Sequence, residues 1–249
     1  GGSPPAAPLF FCRRTWYTCP KRRKGGAVLE RKKYTAAFLL AEGILYALFL
    51  SMDLTARQAQ TVPVKYFAIL LCLGFALLAR LKWRGDGLIP LALALTAGAD
   101  WFLLVRNDRY AAGIALFFCV QTVYYLRLRR MGAGAAYPLR AGLALGLGAG
   151  LYLLRLASPV NLLAGLYFSQ LLSNTVLAWR GKGLPHRIFA AGLTLFVGCD
   201  LCVGLFNALP AASPLYSAVS VGMWFFYLPS QVLIALSALW SKEAPYENQ

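Results

Sequence analysis

The sequence predicts an all-α, polytopic membrane protein with eight transmembrane helices and both termini in the cytoplasm. Three observations carry that expectation. The 249 residues are 59% hydrophobic and only 14% charged, whereas a soluble domain carries roughly 25% charged residues. Apolar runs of about twenty residues recur along nearly the whole chain after residue 34, each long enough to cross a hydrocarbon core of roughly 30 Å as a helix. Lys and Arg gather at alternate flanks of those runs.

Residues 1–33 read as a basic, Gly/Pro-containing tail with nine Lys/Arg, expected to be poorly ordered and to lie against anionic lipid at the cytoplasmic face. A cleaved signal peptide is not expected, because the first apolar run is of spanning length and feeds into further spans. The transmembrane domain is expected over 34–240, with spans at 34–54, 62–81, 87–105, 110–128, 137–157, 159–179, 188–206 and 215–240, and a short C-terminal tail at 241–249. Pro63, Pro138 and Pro159 fall in the first turns of their expected spans, where a missing N–H costs little. Pro229 falls inside the last span, where it should bend the helix.

Charge then sets the orientation. Nine Lys/Arg precede the first span, and Arg80, Lys82 and Arg84 follow the second. Arg127, Arg129, Arg130 and Arg140 flank the turn between the fourth and fifth spans. Arg180, Lys182 and Arg187 follow the sixth and Lys242 the eighth, giving twenty in all. The alternate loops hold four: Arg57, Arg106, Arg109 and Arg155. Twenty against four is a positive-inside pattern, and with it the formal charge of +16 reads as topology rather than nucleic-acid binding. The expected location is an integral, multi-pass position, with the plasma membrane the expected membrane.

Cysteine and histidine give little chemistry. Cys12, Cys19, Cys72, Cys119, Cys199 and Cys202 are scattered, and Cys199-x-x-Cys202 lies in an apolar run with no second pair, so it reads as packing. The only His, His186, is expected in a loop, which leaves no set of N/S/O ligands for zinc. Neither a metal nor another cofactor is expected. Nothing in the sequence sets an oligomeric state.

The chemistry lies in charges placed inside the spans. "TAGADWFLLVRN" (96–107) is partly echoed by "LFVGCDLCVGLFN" (195–207), each carrying Gly-x-Asp in an apolar run, Gly98/Asp100 and Gly198/Asp200. The two runs are the third and seventh spans, which both run from inside to outside, so a weak four-plus-four parallel repeat is expected. At about 1.5 Å per residue, Asp100 and Asp200 lie roughly 4–6 Å outward of mid-span and Lys65 roughly 10 Å outward. Glu42, Gln121 and Gln231 lie nearer the middle. Ionisable groups at such depths are costly and usually face the bundle interior or a wet cavity. The small residues before each Asp would let a backbone or a ligand approach. Two neighbouring carboxyls share protons, which is the state an acid–base pair needs.

Taken in order, these residues resemble the lysoplasmalogenase family, the YhhN-like membrane proteins, over roughly 34–240. Lys65 in "VPVKYF" resembles the family's Lys-Pro start to the second span, with Pro63 two residues before it rather than after. "GADWFLL" around Asp100 resembles Gly-Asp-x-x-Leu with Ala99 inserted. "FFCVQTVY" supplies Phe117 and Tyr124 of a Phe…Ala-His-x-x-Tyr motif, with Gln121 at the His position. "GLTLFVGCD" supplies Gly192, Phe196 and Asp200 of Gly…Phe…Ser-Asp, with Cys199 at the Ser position. "YLPSQVLI" supplies Tyr227, Gln231 and Ile234 of the closing Tyr-x-x-Ala-Gln-x-Leu-Ile motif.

The resemblance implies hydrolysis of the vinyl ether bond of a lysophospholipid, with Asp100 and Asp200 as the catalytic carboxyls in either order. Lys65 would pair with the phosphate or set the charge state of an Asp, while Gln121, Tyr124, Tyr227 and Gln231 would orient water and a glycerol hydroxyl. The implied partners are a lysophospholipid substrate and the bilayer, not nucleic acid. If the family's His shuttles a proton, Gln121 cannot replace it; if it only donates a hydrogen bond, Gln121 can. Two other uses of paired membrane Asp are a proton-coupled transporter and a catalytically silent lipid-binding protein.

Overall fold

The computed structural model describes residues 24–55 and 58–240. The expectations about Cys12, Cys19, Arg57, Lys242, the first 23 residues and the tail 241–249 lie outside those residues. Within them the fold is helical throughout: α1 (Lys24–Leu54), α2 (Gln58–Trp83), α3 (Leu88–Asp100), a π-helical stretch (Trp101–Arg106), α4 (Tyr110–Arg130), α5 (Tyr137–Leu153), α6 (Pro159–Arg180), α7 (Leu184–Ala208) and α8 (Leu215–Ser237). Six of these, in α1–α4, α7 and α8, are long and apolar enough to cross a membrane. α5 has only 17 residues, and α6 carries Asn161, Ser169, Gln170, Ser173, Asn174 and Thr175 along its length.

Several boundaries differ from the sequence expectation. α1 begins at Lys24, so residues 24–33 are helix rather than tail; Ala, Leu, Glu, Arg and Lys all favour helix, and the basic turns simply extend it. α2 begins at Gln58, which puts Pro63 inside the helix instead of in its first turn. α5 stops at Leu153, where Arg155 takes a left-handed φ of 58°. His186 lies in the first turn of α7, not in a loop. α6 begins as its sequence indicates, with Pro159 in its first turn and Ser158 Oγ accepting from the Asn161 N–H at 3.2 Å.

α8 runs through Pro229 as one helix. A proline cannot donate to the carbonyl four residues earlier, here that of Phe225, and in a bilayer that carbonyl needs another donor. Tyr46 on α1 supplies it, its hydroxyl donating to Phe225 O at 3.2 Å. The penalty of the proline is thereby offset by a tie between the first and last helices.

Among the described residues α2, α3, α4, α6, α7 and α8 form a closed cycle of neighbours, with α1 packed against α2 and α8, and α5 against α6. The adjacencies α1–α2–α3–α4 are repeated as α5–α6–α7–α8, and the α4–α6 contact has its counterpart in α2–α8. The α1–α8 and α3–α8 contacts have no counterparts. Polarity is arranged inside-out relative to a soluble bundle. Leu40, Leu81, Leu145 and Leu153 face outward, whereas Glu42, Asp53, Lys65, Asp100, Gln121, Arg127, Asn174 and Gln231 are buried, as expected when lipid is the solvent.

Two charge clusters close the ends of the bundle. At one end Arg127 Nε donates to Asp86 Oδ2 at 2.6 Å and its terminal nitrogen to Ser237 O at 3.0 Å, joining α4 to the α2–α3 loop and α8. The guanidinium lies 4.3 Å from the Phe189 ring centroid on α7. At the other end Lys65 Nζ stands 2.7 Å from Asp53 Oδ2, and Thr61 donates to Asp53 Oδ1 at 3.1 Å. Outside the spans, the Arg106 guanidinium hydrogen-bonds Asp108 and holds its carboxyl below the usual carboxylate range.

Candidate functional site

α3 brings Asp100 to its last residue, buried to 5% exposure, at the point where the α-helix widens into the π-helical stretch Trp101–Arg106. Such wider turns are rare, and they are frequent at functional sites. Asp100 Oδ2 accepts a hydrogen bond from the Tyr227 hydroxyl of α8 at 2.7 Å, and Tyr66 of α2 lies within electrostatic reach. The sequence places Asp100 and Tyr227 127 residues apart; only the α3–α8 contact makes them a pair.

α7 carries Asp200, and the neighbour it meets is Tyr167 of α6. The Tyr167 hydroxyl and Asp200 Oδ2 are both buried and face each other without full hydrogen-bond geometry. Cys199, the residue before Asp200, lies within electrostatic reach of both carboxylates. An aromatic series spans the same region: Trp224 to Tyr227 at 5.1 Å, Tyr227 to Phe196 at 5.6 Å, Phe196 to Phe117 at 5.6 Å and Phe117 to Tyr167 at 5.7 Å. The two acids are therefore each faced by a buried tyrosine, and the two tyrosines are joined by an aromatic series through Phe196 and Phe117.

The space expected beside the two Gly-x-Asp motifs is filled differently. A Cβ on Gly98 would make ordinary contact with Leu116 at 3.5 Å, whereas one on Gly198 would press on the Phe226 ring at 3.2 Å. Gly198 thus admits an aromatic ring of α8 rather than a backbone or a ligand, and Gly98 is not needed for close approach.

Elsewhere in the interior several buried polar atoms make no hydrogen bond of full geometry: Thr96 Oγ1 and the Tyr124 hydroxyl, which face each other, Gln121 Nε2, Ser230 Oγ, both amide atoms of Gln231 and Glu42 Oε2. Buried polar atoms are nearly always hydrogen-bonded, to protein or to water. Such atoms inside an apolar bundle are suited to water or to a polar ligand. Gln121 is held on one side, its Oε1 accepting from Asn174 Nδ2 at 2.9 Å. Glu42 Oε1 accepts from the Cys72 thiol at 3.3 Å.

Of the residues singled out in the sequence, Asp100 and Tyr227 come into contact, Asp200 stands beside Cys199, and Tyr124, Gln121 and Gln231 contribute polar atoms to the interior. Lys65 stands apart with Asp53, its ammonium 5.0 Å from the Trp224 centroid and 5.6 Å from that of Phe49. Sequence reading missed Asp53, Tyr167, Asn174 and the π-helical stretch. Asp53 had a signal, since it lies twelve residues before Lys65 at the facing end of the preceding span; Tyr167 had none. Among the described residues no three His, Cys, Asp or Glu side chains converge as a metal site would require.

No curated protein and no solved structure matches the chain. The model of the YhhN family matches residues 60–238, a stretch that includes both carboxylates, both facing tyrosines and, but for the first two residues of α2, every helix of the closed cycle. An all-helical chain with apolar outward faces and this match across most of its length is a multi-pass membrane protein that belongs to the YhhN family.

Proposed function

We propose that this chain is a membrane-embedded hydrolase that cleaves the vinyl ether bond of lysoplasmalogens, giving a fatty aldehyde and a glycerophospho headgroup. The observation that carries the reading is the pair of buried carboxylates on α3 and α7, each faced by a buried tyrosine and both within electrostatic reach of Cys199. Their setting, buried polar atoms inside an apolar bundle, suits a lipid whose chain is apolar and whose glycerol end is not. In this reading α5 and α6 also cross the bilayer, making eight spans with both termini cytoplasmic.

An enol ether breaks after its β-carbon is protonated. Asp200, faced by the Tyr167 hydroxyl, gives that proton, and the resulting oxocarbenium ion is stabilised by the Asp100 carboxylate. Tyr227, donating to Asp100 Oδ2, holds that carboxylate in place. Water adds to the cationic carbon while Asp100 takes its proton, forming a hemiacetal. Collapse returns the proton on Asp100 to the departing glycerol oxygen and moves the hemiacetal hydroxyl proton to Asp200. One water is consumed, both carboxyls regain their starting states, and aldehyde and alcohol leave. Gln121, Tyr124 and Gln231 supply polar contacts for the water and the glycerol. Lys65 reaches a phosphate only by sharing its ammonium with Asp53.

The test is aldehyde release from 1-alkenyl lysophospholipid by the purified protein in detergent, with no gradient present. A second reading, a proton-coupled transporter, draws on the repeated helix adjacency of the two halves. Substrate consumed in detergent supports the hydrolase. Substrate left intact by folded protein, but moved across a vesicle membrane under a pH gradient, supports the transporter.

A further inference from the structure

Arg140, on the first turns of α5, reaches between α4 and α6 with no carboxylate partner among the described residues. It hydrogen-bonds Gln170 and donates from its second terminal nitrogen to Asn174 Oδ1 at 2.6 Å. Its guanidinium stacks 3.8 Å from the Tyr125 ring centroid. A guanidinium has donors and no acceptor. Asn174 must therefore present its oxygen to Arg140 and its amide nitrogen to the other side.

On that other side is Gln121. Asn174 Nδ2 donates at 2.9 Å both to Gln121 O and to Gln121 Oε1. Because the group facing Gln121 is a donor, Gln121 must turn its own oxygen toward Asn174. Its Nε2 is then committed to the opposite direction, fully buried and without a partner. The order of donors and acceptors follows from Arg140 alone and does not depend on how either amide is assigned.

We propose that Arg140, Asn174 and Gln121 form a polarity relay that presents one fixed hydrogen-bond donor to a lipid's glycerol oxygen, with Arg140 and Asn174 as positioning residues. The inference deepens the proposed function: it makes position 121 a hydrogen-bond donor to the ligand and not a proton shuttle. A donor held this way needs no reorganisation when the ligand arrives.

Asn174→Asp reverses the relay while giving Arg140 a carboxylate. The Asp accepts from both sides, so Gln121 must flip and turn its oxygen to the ligand. The probe is a saturated 1-O-alkyl lysophospholipid, which lacks the vinyl group and so is not cleaved, titrated against the full chain in nanodiscs. Aldehyde release from the 1-alkenyl counterpart is followed in parallel. Asn174→Asp sets a carboxylate oxygen against Gln121 O, so its thermal stability is measured first; the folded variant is expected to lose about tenfold or more in lipid affinity.

If Asn174→Asp does not fold, Gln121→Met carries the same expected loss, since Asn174 keeps its bond to Gln121 O. Undiminished lipid binding by the reversed or donor-less variant overturns the relay, as does a wild type that binds no ether lipid, the outcome in which water alone occupies the donor. Relay-dependent binding without aldehyde release overturns the hydrolase and leaves the relay standing.

Discussion

Asp53 and Lys65 form an ion pair whose side chains are only 3% and 8% exposed, with Nζ to Oδ2 at 2.7 Å. Asp53→Asn removes the charge but nearly keeps the volume, leaving a buried ammonium uncompensated. Breaking one side of a buried pair costs about 3–5 kcal/mol. Two contacts soften the loss: the retained amide oxygen, and the Trp224 and Phe49 rings at 5.0 and 5.6 Å, worth about 0.5–2 kcal/mol. The net expectation is a destabilisation of about 2–4 kcal/mol, or roughly 4–16 °C in Tm at about 2–4 °C per kcal/mol for a chain of this size. Asp53→Leu with Lys65→Met removes both charges and should return to within about 1 kcal/mol of wild type, since apolar replacement of a buried pair is often neutral. Thermal unfolding in detergent, followed by tryptophan fluorescence, measures all three proteins. A single variant as stable as wild type, or a double variant as unstable as the single, would refute the reasoning.

The remaining expectations concern the two carboxyls and the packing behind them. Tyr227→Phe deletes the hydrogen bond to Asp100 and should lower kcat by roughly 10–100-fold, the worth of a bond to a charged group; an unchanged kcat in steady-state aldehyde assays would remove Tyr227 from the site. The kcat profile should be bell-shaped in pH, falling in acid as Asp100 takes up a proton and in alkali as Asp200 loses one. A kcat with no acid limb and no alkaline limb would contradict a carboxyl pair. Gly192→Ala should destabilise by about 1–3 kcal/mol, because the added Cβ would meet Ile234 at 2.9 Å and Ser230 O at 3.2 Å across the α7–α8 interface. A wild-type Tm for that variant would show that the interface yields.

What was legible in the sequence is what hydropathy and charge encode. Lipid forces apolar residues outward and backbone bonds inward, so helices and their order can be read from the runs at 62–81, 110–128 and 159–179. The helix ends were less legible, because nothing local stops α1 at the membrane surface before Lys24 or tells that α2 starts at Gln58. Asp100 and Asp200 stood out because each is a charge where lipid tolerates none. Tyr167 did not, since a tyrosine in an apolar run looks like packing until α6 turns it toward Asp200. The relay through Arg140 was hidden for a related reason. Arg140 looked like one more inner-face charge, and only the way α4, α5 and α6 pack brings it to Asn174 and Gln121. Lys65 was legible as a buried charge, but its partner Asp53 looked like a helix end.

The central claim, that Asp200 and Asp100 protonate carbon and activate water on a vinyl ether, is tested most directly in heavy water. The purified protein is given 1-alkenyl lysophospholipid in D2O, and the aldehyde is analysed by mass spectrometry alongside Asp100→Asn and Asp200→Asn variants of wild-type stability. The account expects aldehyde carrying one deuterium on the carbon next to the carbonyl from wild type, and a rate about 10²–10⁴-fold lower from either variant. No aldehyde from well-folded wild type, aldehyde without that deuterium, or variants that keep wild-type rates would contradict it.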